Sequence, residues 1–124
     1  NSLPPAVVAA GIKAFDMLSS AGALRERLAC NTAYFRERMA AAGFDIKPGV
    51  HPICPVMLYE APLAQRFAQR LLEEGIYAIG FFFPVVPQGQ ARIRTQISAA
   101  HTREHLDCAI DAFTRIGHEL GVLK

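Results

Sequence analysis

Val8, Ile12, Phe15 and Leu18 recur at intervals of three and four, the spacing that lines one face of an α-helix. Pro4 and Pro5 stand just ahead of them, where a residue without an N–H leaves no orphan donor in the first turn. Ser19, Ser20 and Gly22 weaken that helix, and a second stripe follows in Leu24, Leu28, Phe35 and Met39. Gly43 fits the position just past the end of this second helix, with Phe44 folding back on its last turn. The period then changes. Ile53–Tyr59 reads as a strand, although Pro55 within it cannot donate to a ladder and demands a sheet edge or a bulge. Pro62 opens a helix with Leu63, Phe67 and Leu71 on one face, and Gly75 closes it. Tyr77–Phe83, aromatic and branched, predicts a second strand, and Ala91–Ser98 a third. Thr102 caps a last helix striped by Leu106, Ile110, Phe113 and Leu120, with Gly121 at its end. The order α-α-β-α-β-β-α predicts an α+β sandwich, with helices on one face of a small, mainly antiparallel three-stranded sheet.

The third strand carries the most information. Ile93, Thr95 and Ile97 point to one face, and Arg92, Arg94, Gln96 and Ser98 to the other. The apolar face is expected to meet the helices, so the arginines look away from them. The run Phe81-Phe82-Phe83-Pro84-Val85-Val86-Pro87 precedes this strand. Two readings of it stand side by side. An apolar segment around two prolines marks an interface, or Phe81 and Phe83 sit in the core while the prolines stiffen a hairpin.

Composition narrows the function classes. The 124 residues suffice for one domain, and 52% hydrophobic with 19% charged residues excludes a disordered or fibrous chain. Thirteen Lys and Arg against eleven Asp and Glu leave a net charge of +2, without the clustered basic field of a nucleic-acid binder. The run Phe81–Pro87 is far too short to span a bilayer, and no charged segment ahead of an apolar one suggests a signal peptide. Neither nucleic acid nor a membrane is an expected partner. Cys30, Cys54 and Cys108 are odd in number and lack metal-ligand spacing, which suits reduced thiols in a cytoplasm or a mitochondrial matrix. His101 and His105 stand four apart, but no third ligand is near, so capping roles outweigh a metal site. Cys54, between Ile53 and Pro55, reads as a buried structural thiol. Lys13, Lys47 and Lys124 are the only lysines, and none sits where a desolvated, Schiff-base-forming amine is expected. No phosphate loop, nucleophile elbow or metalloprotease motif occurs. The residues alone describe a domain that presents an arginine and catalyses nothing by itself.

Four stretches go further. Asn1–Ala6, His51–Leu58, Gly75–Phe81 and Pro84–Ala99, the last containing the R-x-R strand, resemble in order and spacing the C-terminal part of the glycine C-acetyltransferase family. That family belongs to the pyridoxal-phosphate-dependent α-oxoamine synthases. The resemblance implies the C-terminal small domain of a fold-type-I transferase. Residues 1–45 would form a helical lead-in and residues 46–124 the sheet-and-helix sandwich, with the large cofactor-binding domain outside this chain. It implies a homodimer that joins glycine and acetyl-CoA to give 2-amino-3-ketobutyrate, or cleaves that product in threonine breakdown. Arg94, the second arginine of the motif, would hold the substrate carboxylate. Pro84, Val85, Val86 and Pro87 match the loop that lies over the substrate. Val85 stands where succinyl-using relatives carry threonine, which favours a small acyl group. Asn1 and Ser2 match the tail of a segment reaching the neighbouring subunit's cofactor phosphate. The cofactor lysine and the residues around the pyridine ring belong to the large domain, so this chain is expected to bind no pyridoxal 5'-phosphate and to be inactive alone. A stand-alone carboxylate-binding or protein-interaction module is the alternative the residues leave open.

Overall fold

A computed structural model describes residues 2–124. Seven elements follow one another: α1 (Pro5–Ser20), α2 (Gly22–Ala41), β1 (Ile53–Tyr59), α3 (Ala61–Glu73), β2 (Ile79–Phe81), β3 (Ala91–Gln96) and α4 (Arg103–Glu119). The sheet runs β1-β3-β2, antiparallel throughout. The last strand in sequence therefore lies in the middle, with Arg94 on it.

Local chemistry sets the helix ends. Gly43, Gly75 and Gly121 all adopt positive φ (100°, 80° and 72°), which glycine reaches without a Cβ clash. Each closes a Schellman motif, as Phe44 N–H to Met39 C=O (3.1 Å) and Gly43 N–H to Ala40 C=O (3.0 Å) illustrate. Thr102 accepts the His105 N–H at 3.2 Å and caps α4. Between α1 and α2 the axis bends by 74° at Ala21. The Ser19 and Ser20 hydroxyls there donate back to the Phe15 and Met17 carbonyls, the self-bonding that bends helices. No single helix among the described residues is long and apolar enough to cross a membrane.

The core lies between the sheet and α2–α4. Phe113 sits at its centre, 5.4 Å from Phe67, 6.0 Å from Phe44 and 6.5 Å from Phe35, measured between ring centroids. Cys54, Val56 and Leu58 of β1 and Ala91, Ile93 and Ile97 in and just beyond β3 bury against it. Arg36 ties α2 to the segment ahead of β1. Its guanidinium donates to the carbonyls of Lys47 (2.7 Å), His51 (2.9 Å) and Ile53 (2.9 Å). On the far side, Arg70 grips Glu119 through two parallel 2.9 Å bonds, joining α3 to α4.

Pro55 resolves as an edge residue. β1 is an edge strand, and the Pro55 carbonyl accepts the Lys47 N–H from outside the sheet. In a strand a residue's nitrogen and carbonyl point the same way, so the missing N–H costs the β1–β3 ladder nothing. A bulge follows between Met57 and Tyr59.

Two expectations need correction. The second strand is Ile79–Phe81, not Tyr77–Phe83. At its start, the Ile76 N–H is spent on Leu71 C=O closing α3 (2.8 Å). At its end, the Phe82 carbonyl accepts from Val85 and Val86 in a turn. The third strand stops at Gln96, before Ser98. There the Ser98 N–H donates to His101 Nδ1 (3.2 Å), and its carbonyl accepts from Asn31 (3.1 Å). The stripe of α1 is not buried by any described residue: Val8, Ile12, Phe15 and Leu18 are exposed, Phe15 by 73%. Leu24 of the second stripe is exposed as well.

β2 lies close to α3 because residue 80 is glycine. A Cβ built on Gly80 would stand 3.0 Å from the Ala64 backbone oxygen and 3.2 Å from its carbonyl carbon. A helix backbone cannot yield as a flexible side chain would. Gly80→Val is therefore expected to destabilise the chain by about 1–3 kcal/mol through overpacking. Chemical denaturation would show it as a lower midpoint at unchanged slope; an unchanged midpoint would contradict the close approach.

Candidate functional site

Cross-strand register builds the outer face of the sheet. Arg94 stands opposite Pro55 on β1 and Ile79 on β2; Arg92 stands opposite Met57 and Phe81. With Gln96 these residues form the face turned from the core, as the alternation along β3 anticipates. Thr95, on the inner face, donates to the Cys54 carbonyl at 2.8 Å and locks β3 to β1.

Arg94 is exposed, and no carboxylate lies within ion-pairing distance of it among the described residues. Its guanidinium carbon sits 4.3 Å from the centroid of the Phe81 ring. The in-plane N–H groups remain available for an incoming anion. A groove of about 620 Å³ opens beside it, lined by residues 75–79, β3 and α4. Ile76, Ala78, Phe81, Leu106 and Ala109 supply much of its wall, and Arg94 lies at the lining with Gln96.

The loop between β2 and β3 begins beside the Phe81–Arg92 pair, so a single hairpin carries both it and Arg94. Pro84, Val85 and Pro87 are exposed, Val85 by 70%, whereas Val86 is buried and anchors the loop. Of the two readings of the Phe-rich run, the core reading does not hold: Phe83 is 57% exposed and Phe81 only half-buried. Phe82, between them, packs against the core. Ser2 is exposed in the residues ahead of α1, and no hydrogen bond joins it to Arg94. Asn1 lies outside the described residues.

The remaining candidates have structural work. Nδ1 of His101 accepts the Ser98 N–H, and Nδ1 of His105 accepts the Thr102 N–H at 3.3 Å. Both rings shape the entry to α4. Cys54 is fully buried, and that burial pushes its thiol up from the ordinary value, with Arg36 pulling weakly the other way. Lys13, Lys47 and Lys124 are all exposed. None has the enclosed setting that keeps an amine neutral for cofactor attachment, so the chain's own residues do not fit a pyridoxal-phosphate anchor. The Phe81–Arg94 stack, like the groove, is a feature that the residues alone did not reveal. Its signal lies in the register, which puts both side chains on one face a diagonal apart.

The fold and the face define an α+β domain that offers one free arginine beside an apolar groove. Residues 1–113 match the family model for class I and II aminotransferases. Over 99% of its length the chain is 58% identical to a 2-amino-3-ketobutyrate coenzyme A ligase of Salmonella typhimurium and 50% identical to the human mitochondrial one. It spans 31% and 29% of those enzymes, respectively. Its fold superposes on a lysine-to-alanine variant of the serine palmitoyltransferase of S. paucimobilis, solved with a pyridoxal phosphate–myriocin aldimine bound, with a TM-score of 0.91. That match is 31% identical, covering 98% of this chain and 31% of the other. The chain belongs to the class I and II aminotransferase family.

Proposed function

We propose that this chain is the C-terminal small domain of a pyridoxal-phosphate-dependent α-oxoamine synthase that joins glycine and acetyl-CoA into 2-amino-3-ketobutyrate and CoA. The reverse cleavage would serve threonine breakdown. The observation that carries the reading is the exposed guanidinium of Arg94, stacked on Phe81 and without an ion-pair partner among the described residues. The 58% identity to an enzyme named for that product supports it. In this reading Arg94 grips the glycine carboxylate through two parallel charge-assisted bonds, fixing which way the Cα–H bonds point. The loop from Pro84 to Pro87 then shields the bound amino acid from water, and Val85, at a place where succinyl-using relatives carry threonine, favours a short acyl group.

The cofactor, when bound, supplies electron withdrawal from the amino-acid α-carbon; its attachment lies in the rest of the enzyme. The chain contributes binding and orientation. Its partners would be its own large domain and a second subunit of a homodimer, and the unmet apolar face of α1 gives them a surface to cover. Ser2, and Asn1 before it, would turn toward the neighbouring subunit's cofactor phosphate. Compartment would follow the relatives: cytoplasm in a bacterium, mitochondrial matrix in a eukaryote.

The test is an assay of the full-length parent loaded with pyridoxal phosphate. Free thiol released from acetyl-CoA with glycine is followed beside that from palmitoyl-CoA with serine. The expected result is a higher kcat/KM for glycine with acetyl-CoA. Turnover of the serine and palmitoyl-CoA pair alone would overturn the assignment.

A further inference from the structure

An arginine that binds by geometry needs its fork aimed before the ligand arrives. A long side chain on an exposed strand face has many rotamers, and ordering it on binding costs affinity. Among the described residues Arg94 makes no ion pair or side-chain hydrogen bond that would aim it; its one specific neighbour is the Phe81 ring, 4.3 Å away. That is well within the range of cation–π attraction. Phe81 in turn has little freedom. It is half-buried, its backbone pairs with Arg92, and Gly80 beside it is pressed on the Ala64 carbonyl of α3. The ring is thus anchored to the core through one residue of backbone. A contact on the face of a guanidinium consumes none of its five donors, because all of them lie in the plane.

We propose that Phe81 is a positioning residue: its ring holds the Arg94 guanidinium in the orientation that receives a carboxylate. The inference rests on the reading of Arg94 as the glycine carboxylate ligand and adds the residue that makes Arg94 selective for that geometry. Phe81 touches no reacting atom. Its loss acts on binding through Arg94 and leaves the chemical step alone.

The test uses the full-length parent with pyridoxal phosphate bound. Phe81→Leu is expected to raise the KM for glycine about three- to tenfold, with kcat within about twofold and the cofactor absorbance unchanged. Phe81→Tyr, which keeps the ring, restores the KM. Pentafluorophenylalanine at position 81 keeps the shape and reverses the ring's electrostatics, so it raises KM like leucine. It also answers the question should the leucine variant fold poorly. In an Arg94→Ala background Phe81→Leu is expected to add nothing. If Arg94→Ala raises KM but neither Phe81 variant does, the positioning role is wrong and the carboxylate assignment stands. If Phe81→Leu raises KM equally with and without Arg94, Phe81 acts by another route and the proposal is overturned. If Arg94→Ala leaves KM unchanged, both readings fall.

Discussion

Arg94→Ala in the full-length parent is expected to raise the KM for glycine about a hundredfold or more. Removing a bidentate charge-assisted pair from a partly desolvated site costs about 2–5 kcal/mol of binding, and each 1.4 kcal/mol is tenfold. Arg94→Lys keeps the charge but not the planar fork, so it should lose most of the same affinity. Fold and cofactor binding should survive both changes, because Arg94 is exposed and turned from the core. Arg92→Ala is the internal control. Arg92 shares the outer face, opposite Met57 and Phe81 at the base of the loop, so it adds similar positive potential without the carboxylate role. Steady-state kinetics with glycine varied at saturating acetyl-CoA measures both. Equal losses at the two arginines would mean a general field or a folding defect, and would remove Arg94 from the site.

Phe113→Ala is expected to cost the chain about 3–5 kcal/mol of stability, the range for deleting a large buried aromatic. Phe113 is 1% exposed and meets Phe35, Phe44 and Phe67, so it joins α2, the turn after it, α3 and α4. The cavity would open where four segments converge, and none can close it without leaving the others. Most of a small domain's margin would go. Urea unfolding followed by far-ultraviolet circular dichroism reads the shift. Phe15→Ala on α1 is the comparison: Phe15 is 73% exposed, so its loss should change stability by no more than about 0.5 kcal/mol. A Phe113 loss below about 1 kcal/mol would show that the aromatic cluster does not hold the fold together.

Features governed by short-range backbone chemistry were legible in the residues. Gly43, Gly75 and Gly121 mark helix ends because a left-handed residue is needed one position past each C-cap, and that need is local. Thr102 marks the start of α4 through a bond three residues long. Pro55 announces an edge or a bulge because a missing N–H has the same consequence in any sheet, and the strand order decides for the edge. Alternation along β3 likewise sends Arg94 outward and Ile93 inward whatever the strand's neighbours are. Tertiary structure decided what depends on partners distant in sequence. The spacing of Val8, Ile12, Phe15 and Leu18 says that α1 has an apolar face, but periodicity carries no information about what meets that face, and among the described residues nothing does. The length of β2 followed from competition for hydrogen bonds, since Ile76 and Phe82 spend theirs on a helix cap and a turn. The setting of Arg94 arose the same way: only the β2–β3 register brings Phe81 beneath its guanidinium, and the groove beside it is lined by segments far apart in sequence. A side chain's type and the face it takes are properties of its own strand; the surface it rests on belongs to the strand next door.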